Sequence, residues 1–270
     1  MQLRNRNAII YGAAGSLGST VAKALARAGA TVLVTGHRIG PVKTLAAEIV
    51  AAGGRAEAAQ VDALDQKGVE HCVSDFAHRS GTLDISFNAI AWKDRQGTPL
   101  VEMALADFVR PVRIAMETQF ITSTAAGRIM KQQQSGVILS LTATPGGIGY
   151  PNVGGFGPAC CAVEGFSRDL AAELGPHGVR VVNIRSGGSP DSRVFRDAME
   201  QGGARAAEFI QKITDDTMLK QLPLMEDIAN VAVFLASELA GKITGVTVDV
   251  TCGTTSALNY RVPPIAFVQE

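Results

Sequence analysis

The sequence of 270 residues has few cysteines, few aromatic residues and no excess of charge of either sign. Its four cysteines form no C-x-x-C pair and show no metal-ligand spacing with histidine, which argues against a zinc site or a disulfide framework. The 25 basic and 25 acidic side chains are scattered along the chain, which argues against a surface for nucleic acid. We therefore expect a metal-free protein whose partners are small molecules or proteins.

Long hydrophobic runs are absent as well. No apolar run approaches the roughly 20 residues of a membrane-spanning helix, and residues 1–7 lead into a predicted strand without the apolar core of a signal peptide. These absences predict a cytoplasmic protein without a membrane partner. Hydrophobic residues still make up 46% of the chain, enough for one sizeable core. Because we find no repeat and no linker, we expect a single domain over residues 1–270.

Short apolar, β-branched runs alternate with alanine-rich segments of helical period along the whole chain. This alternation is typical of repeated βαβ units, and it predicts an α/β fold with a doubly wound parallel sheet of about seven strands and helices on both faces. The predicted strands are residues 7–11, 31–35, 55–60, 83–87, 136–141, 180–184 and 247–250. The predicted helices are residues 17–28, 41–52, 66–79, 105–131, 157–174 and 225–236. The polar stretch 189–223, bounded by glycine and proline, predicts a mobile lid.

A glycine-rich turn follows the first predicted strand, with Gly12, Gly15, Ser16, Leu17 and Gly18 leading into the first helix. Glycines allow a tight turn and a close approach of the backbone, so a pyrophosphate can sit on the free N–H groups at the helix start. The turn therefore indicates a dinucleotide site. The alternative interpretation is a plain connection between a strand and a helix.

The end of the second predicted strand carries His37 and Arg38 and no acidic residue. An acidic residue at this place holds the ribose hydroxyls of NAD, whereas a guanidinium can hold the 2′-phosphate of NADP with two hydrogen bonds. These residues favour NADP(H) as the dinucleotide. The alternative leaves Arg38 as an ordinary solvated loop residue.

Several further segments resemble landmarks of the short-chain dehydrogenase/reductase (SDR) family, in the family's order and spacing over residues 7–254. Asp62 stands where the family contacts adenine, and Asn88 and Ala89 stand in its strand-end N-N-A-G motif. Three more segments match the family's long helix, its sixth strand and its carboxyl-terminal region. These are residues 162–166, residues 178–181, and a carboxyl-terminal set of 234–237, 243–245 and 252–253. The resemblance implies a Rossmann-like fold and an oxidoreductase.

Two cofactor-binding motifs depart from the family pattern. Ser16 occupies the position of the middle glycine in the first turn, and Gly15 precedes it, which gives the glycine spacing of the extended subfamily. In the N-N-A-G motif, Phe87 replaces the first asparagine and Ile90 replaces the glycine that lines the cofactor's ribose. A β-branched side chain at that position is expected to crowd the nucleotide.

The catalytic tetrad implied by the resemblance is asparagine, serine, tyrosine and lysine, and this chain lacks all four. Counting along the motifs places Ala115, Ala143, Phe156 and Cys160 in these positions. The tyrosine donates a proton and the lysine holds the nicotinamide ribose while lowering the tyrosine's pKa, whereas phenylalanine has no titratable proton. On a helix, Phe156 and Cys160 share one face. The resemblance therefore implies an apolar pocket where a reductase needs a proton.

Other polar groups could replace the missing acid. Shifting the serine position by one residue gives Thr142, whose hydroxyl could hydrogen-bond a carbonyl, and Tyr150 is a second candidate. The alternative for Tyr150 is an anchor for its glycine-rich loop.

Two interpretations of the function follow from these residues. In the first, the chain is an SDR-fold protein with a degenerate active site, which binds a nucleotide or metabolite or serves as the silent subunit beside an active SDR partner. In the second, it is a divergent NADP(H)-dependent oxidoreductase with a non-standard proton donor. The complete loss of the tetrad favours the first interpretation. The long predicted helices 105–131 and 157–174 also predict a homo-oligomer, dimer or tetramer, which packs across a two-fold axis.

Overall fold

The computed structural model describes residues 2–256 and contains a seven-stranded sheet. Neighbouring strands pair in parallel throughout this sheet, and the strand order is β3-β2-β1-β4-β5-β6-β7. The strands are β1 (Asn7–Tyr11), β2 (Thr31–Gly36), β3 (Arg55–Gln60), β4 (Ile85–Asn88), β5 (Gly136–Ala143), β6 (Val179–Ser186) and β7 (Thr247–Val250). This order confirms the predicted doubly wound, Rossmann-like sheet.

Helices cover both faces of the sheet. They are α1 (Ser16–Arg27), α2 (Ile39–Ala51), α3 (Gln66–Ser80), α4 (Leu105–Gln133), α5 (Phe156–Leu174), α6 (Arg193–Asp215) and α7 (Met225–Ala236). One large apolar cluster joins the sheet to α1, α2 and α7, and a second joins it to α3, α4 and α5. The central strands read as continuous apolar runs because both faces are covered.

The strand order reverses between β1 and β4, which pair side by side with Tyr11 opposite Asn88 at their carboxyl ends. In open α/β sheets, the loops leaving the carboxyl ends of the strands on either side of such a reversal diverge and leave a crevice. The loops after β1 and β4 therefore frame the place where a ligand is expected. The glycine-rich turn is the first of these loops.

The largest difference from the sequence prediction lies in segment 189–223, for which no helix was predicted. Most of it forms α6, whose amino terminus is capped by the Ser192 hydroxyl accepting from the Phe195 N–H. Gly203 interrupts the helical backbone, with φ 51° and ψ −128°. Because this glycine follows Gly202, the pair obscures the helical pattern of the flanking residues. The prediction that the segment is mobile stays a prediction.

The other boundaries agree with the prediction to within a few residues, and β1, β3, β7 and α7 agree at both ends. None of the helices within residues 2–256 combines the length and apolar character that crossing a membrane requires.

Candidate functional site

The glycine-rich turn brings β1 and the start of α1 into close contact. Gly12 has a φ of +67°, and a Cβ built on it would lie 2.7 Å from the Ala89 carbonyl oxygen. A Cβ on Gly18 would lie 2.5 Å from the Gly12 carbonyl oxygen. Only glycine fits these two positions without displacing backbone. The N-cap residue of α1 is Gly15, and no side chain caps the helix. The first N–H groups of α1 therefore stay available to an anion.

The amino end of α6 meets the same turn. The N–H of Arg193 donates to the Ser16 hydroxyl oxygen over 3.2 Å. The Asp191 carboxylate, just before α6, accepts from the Met225 N–H at the start of α7 over 3.1 Å. These bonds fix the beginning of α6 beside the beginning of α1. Sequence reasoning missed this contact, since it assigned no helix to the segment.

The strand ends on the β2 and β3 side present the other predicted nucleotide contacts. His37 and Arg38 are exposed, and within residues 2–256 the Arg38 side chain has neither a hydrogen bond nor an ion pair. The Asp62 carboxylate accepts from the Leu64 N–H over 3.0 Å, which closes the turn after β3. Arg38 is thus free to contact a ligand, while Asp62 is partly occupied by its own backbone turn.

Asn88 fixes the end of β4. Its side-chain amide donates to the Thr122 hydroxyl over 2.9 Å, and its carbonyl oxygen accepts from the Ile90 N–H over 3.0 Å. The Ile90 side chain is partly buried and packs against the apolar cluster of α3 and α4. At least part of this side chain therefore points into the core. Crowding of a nucleotide by Ile90 stays a prediction.

The four residues that the resemblance assigns to the tetrad lie together in one small apolar cluster. Ala115 and Cys160 are buried in it, and Ala143 and Phe156 pack against its edge. Trp92, in the loop after β4, completes the cluster; it is 8% exposed, and its ring stacks on Phe156 with 5.4 Å between the centroids and a tilt of 48°. The four residues thus lie together, and their assignment to the family's tetrad stays a prediction. The spacing argument missed Trp92, because periodicity does not predict burial within a loop.

Cys160 does not supply an acid for this cluster. Its thiol is fully buried, and burial raises its pKa to about 12, with a smaller opposing contribution from a hydrogen bond with the Ala143 backbone. A thiol in this state keeps its proton at neutral pH. Cys161 next to it is exposed, and neither cysteine forms a disulfide. Cys160 therefore acts as a small apolar residue.

A buried polar network lies behind the cluster, between β5, β6 and α5. Thr142 donates to Glu164 Oε1 over 2.9 Å and accepts from the Asn183 amide over 2.7 Å. Glu164 pairs with Arg185 through two hydrogen bonds, of 3.1 and 2.6 Å, and Arg185 also pairs with Asp249 over 3.0 Å. The proton of the Thr142 hydroxyl is thus donated within this network, so it is not available to a substrate in this arrangement.

Tyr150 lies in the glycine-rich loop between β5 and α5. It lines a groove of about 710 Å³ with residues 99–101, the rest of segment 145–154, and Gly157, Pro158 and Cys161. Burial, followed by the nearby Asp216 carboxylate, raises the pKa of its half-buried hydroxyl. The Thr142 hydroxyl thus donates to Glu164, and a role for Tyr150 as the replacement acid stays a prediction.

Comparison with known proteins identifies the family. Residues 12–255 match the family model described as enoyl-(acyl carrier protein) reductase. Short-chain reductase protein NovJ of Streptomyces niveus is 30% identical over 249 residues, which cover 91% of this chain and 92% of NovJ. The chain belongs to the SDR family.

Other SDR relatives cover the chain to a similar extent. The 7alpha-hydroxysteroid dehydrogenase of Escherichia coli K12 is 28% identical over 260 residues, covering 96% of this chain and 98% of that enzyme. The solved structure of a short-chain dehydrogenase/reductase from Serratia marcescens has 25% identity and a TM-score of 0.83, and the match covers 95% of this chain and all of that one. The named relatives are dehydrogenases and reductases, so this chain is an SDR-family protein of the oxidoreductase type.

Sequence reasoning also missed the Glu164–Arg185 pair. Glu164 follows Cys160 by four residues, so the helical period places it on the same buried face of α5. An acidic residue on a buried face needs a partner, and this signal was available in the sequence. No group of three or more possible metal ligands occurs within the described part of this SDR chain.

Proposed function

We propose that this SDR-family protein binds an NADP(H)-type nucleotide through its glycine-rich turn and does not carry out the family's usual carbonyl reduction. It serves as a binding protein or as the silent subunit beside an active SDR partner. The observation that carries this proposal is the apolar cluster of Trp92, Ala115, Ala143, Phe156 and Cys160. Reduction of a ketone needs a proton as well as a hydride, and this cluster holds no group that can donate one at neutral pH.

The nucleotide end of the site supports binding. Gly12 and Gly18 leave room for a close backbone approach, and the uncapped start of α1 offers N–H groups to a pyrophosphate. Arg38 is exposed at the end of β2, where a 2′-phosphate would lie. Gly12, Gly15, Ser16, Leu17, Gly18 and Arg38 would hold such a cofactor, and NADP(H) is preferred to NAD(H) because no acidic residue stands beside Arg38. When bound in an active SDR, this cofactor supplies the hydride.

A second candidate function is a divergent NADP(H)-dependent oxidoreductase. The names of the relatives favour it, since they include a hydroxysteroid dehydrogenase and a 3-oxoacyl-[acyl-carrier-protein] reductase. Such an enzyme would take its proton from water or from a replacement group. The hydrogen bond from the Thr142 hydroxyl to Glu164 argues against Thr142 in that role, and Tyr150 stays a candidate for it.

An assay with NADPH separates the two candidates. The purified protein is mixed with NADPH and, separately, with a simple ketone, a ketosteroid and a 3-oxoacyl thioester, and oxidation of the cofactor is followed by absorbance. We expect no rate above the protein-free background. Loss of a positioned acid alone lowers a rate by about 10²–10⁴, and the lysine and serine functions are missing as well.

Two variants give the assay its control. If ketone reduction is observed, Thr142→Val and Tyr150→Phe test the two replacement hydroxyls. A rate that falls in either variant identifies the proton donor and establishes the divergent enzyme. A robust rate that neither variant changes places the active site elsewhere, and it contradicts the proposal equally.

A further inference from the structure

The site has two halves, which differ in what they can accommodate. A dinucleotide in this type of sheet spans the reversal between β1 and β4, with one mononucleotide half on each side. The first βα turn and the end of β2 take the adenosine half and the pyrophosphate. The second half therefore lies over the carboxyl ends of β4, β5 and β6. The loop that contains Trp92 follows β4, and Ala143 and Ser186 are the last residues of β5 and β6.

The adenosine half is open. The turn at Gly12 and Gly18 has no side chain to fill it, α1 has no capping side chain, and Arg38 makes no ion pair within the described chain. The amino end of α6 adds the Ser16–Arg193 hydrogen bond at the same place, so two helix amino ends meet where a diphosphate would lie.

In the second half, Trp92 after β4 and Phe156 at the start of α5 pack against each other. The Trp92 indole is 8% exposed and packs against Phe156 at a tilt of 48°, and both rings share a cluster with Ala143, at the end of β5, and Cys160, near the start of α5. A ring entering from the ligand side would have to separate the two aromatic side chains and expose apolar surface. It would find few hydrogen-bond partners there, because the members of the cluster are apolar apart from the Trp92 indole N–H and the Cys160 thiol.

From this asymmetry we infer that the complete ligand of the site is a 2′-phosphorylated adenosine diphosphate, and that the nicotinamide ring contributes nothing to binding. The inference rests on the proposed function, since it assumes that a nucleotide binds at the glycine-rich turn. The nicotinamide of NADP(H), when bound, stays outside the Trp92 cluster. The chain thus recognises only the phosphoadenosine end of the cofactor.

Calorimetry with four ligands tests the inference on the unmodified protein. 2′-Phospho-ADP-ribose differs from NADP⁺ only by the nicotinamide, and NADH lacks the 2′-phosphate. We expect 2′-phospho-ADP-ribose, NADP⁺ and NADPH to bind with dissociation constants within about threefold of one another, and NADH to bind at least about tenfold more weakly. Arg38→Ala should weaken the binding of the three 2′-phosphorylated ligands alike, by about tenfold. Arg4→Ala, which lies before the amino end of β1, should leave the binding of all three unchanged.

The outcomes distinguish this inference from the proposed binding of a nucleotide, on which it rests. If NADPH binds about tenfold or more tightly than 2′-phospho-ADP-ribose, the ring enters the protein and the inference is wrong, while nucleotide binding stands. If none of the ligands binds, the proposed function itself fails. Saturation-transfer NMR on bound NADP⁺ gives a second readout without any variant. Adenine protons should receive magnetisation from the protein and nicotinamide protons should not; equal transfer to both rings would overturn the inference.

Discussion

At the scale of single residues, the polar network behind the cluster determines how β5, β6 and α5 fit together. Glu164 and Arg185 form a bidentate pair in which the side chains are 7% and 15% exposed. Gly146 lies directly over this pair, since a Cβ on it would overlap Glu164 Oε1. A buried charge pair need not stabilise a protein relative to apolar residues, but the loss of one partner is costly because the other charge stays buried.

Glu164→Ala should therefore lower the free energy of unfolding by about 3 kcal/mol. The value lies at the lower end of the usual range because Asp249 still pairs with Arg185. Urea unfolding measures the change. Asp216→Ala is the matched control, since it breaks an exposed pair with Lys212 and should cost at most about 0.5 kcal/mol. Equal losses in the two variants would contradict a buried role for Glu164.

The residues of the site show what sequence spacing can and cannot predict. Spacing along the chain selected Ala115, Ala143, Phe156 and Cys160, and these four residues do share one cluster, because helices of fixed period and a parallel strand bring such positions together. It did not predict Trp92, whose place depends on the path of an irregular loop. It also left the Thr142 hydroxyl open as an acid, whereas two hydrogen bonds to side chains distant in sequence engage it.

At the scale of elements, the start of α5 depends on close contact with α4. Gly155 immediately precedes α5, and a Cβ on it would overlap the Phe108 carbonyl oxygen and lie 2.9 Å from Pro111. Pro111 sits inside α4 and has no N–H to donate, so it disturbs the helix at the point that α5 approaches. This contact fixes where Phe156 begins its helix. It therefore determines the shape of the apolar cluster.

Gly155→Ala should destabilise the protein by about 1–3 kcal/mol, as overpacking usually does. The added methyl group must displace backbone of α4, which cannot move as a flexible side chain does. Gly149→Ala is the control: this glycine lies in the same loop, has no positive φ, and a Cβ on it would have no heavy atom within 4 Å. Its unfolding midpoint in urea should stay close to that of the parent protein. A neutral Gly155→Ala would show that α4 and α5 are packed less tightly than described.

The prediction of elements succeeded where a long uniform pattern existed and failed where glycine interrupted one. Most of the strands have apolar β-branched runs, and β3, which has none, lies between two helices of clear period, so all seven were placed. The segment that forms α6 contains Gly202 and Gly203, and the structure continues the helix across them with a kink at Gly203. Tertiary contacts with Ser16 and with the start of α7 hold the first turn in place. Such contacts leave no local sequence pattern.

At the scale of the whole molecule, α4 and α5 leave an aromatic pair on the surface. Phe120 of α4 is 50% exposed and packs on Phe166 of α5, with 6.2 Å between the ring centroids. Leu105 and Val109 extend the exposed apolar face of α4 towards its amino end. A face of this kind usually marks a contact with another protein. It agrees with the predicted two-fold packing of these helices.

We therefore expect light scattering at micromolar concentration to give the mass of a dimer or tetramer. Phe120→Asp should shift the mass towards the monomer, because it places a charge at the centre of the apolar face. Phe209→Asp is the matched control on α6, where the phenylalanine is 53% exposed. A monomeric parent protein, or an equal effect of the two variants, would exclude α4 and α5 as the interface.

Trp92 gives the molecule an optical property as well as a packed cluster. It is the single tryptophan of the chain, so the tryptophan fluorescence of the whole protein comes from one indole beside Phe156. A buried indole emits at shorter wavelength than one in water, and the emission therefore reports directly whether the cluster is closed. A nucleotide that reaches only the glycine-rich turn should leave the emission wavelength unchanged, whereas any ligand that parts the two rings should shift it to the red.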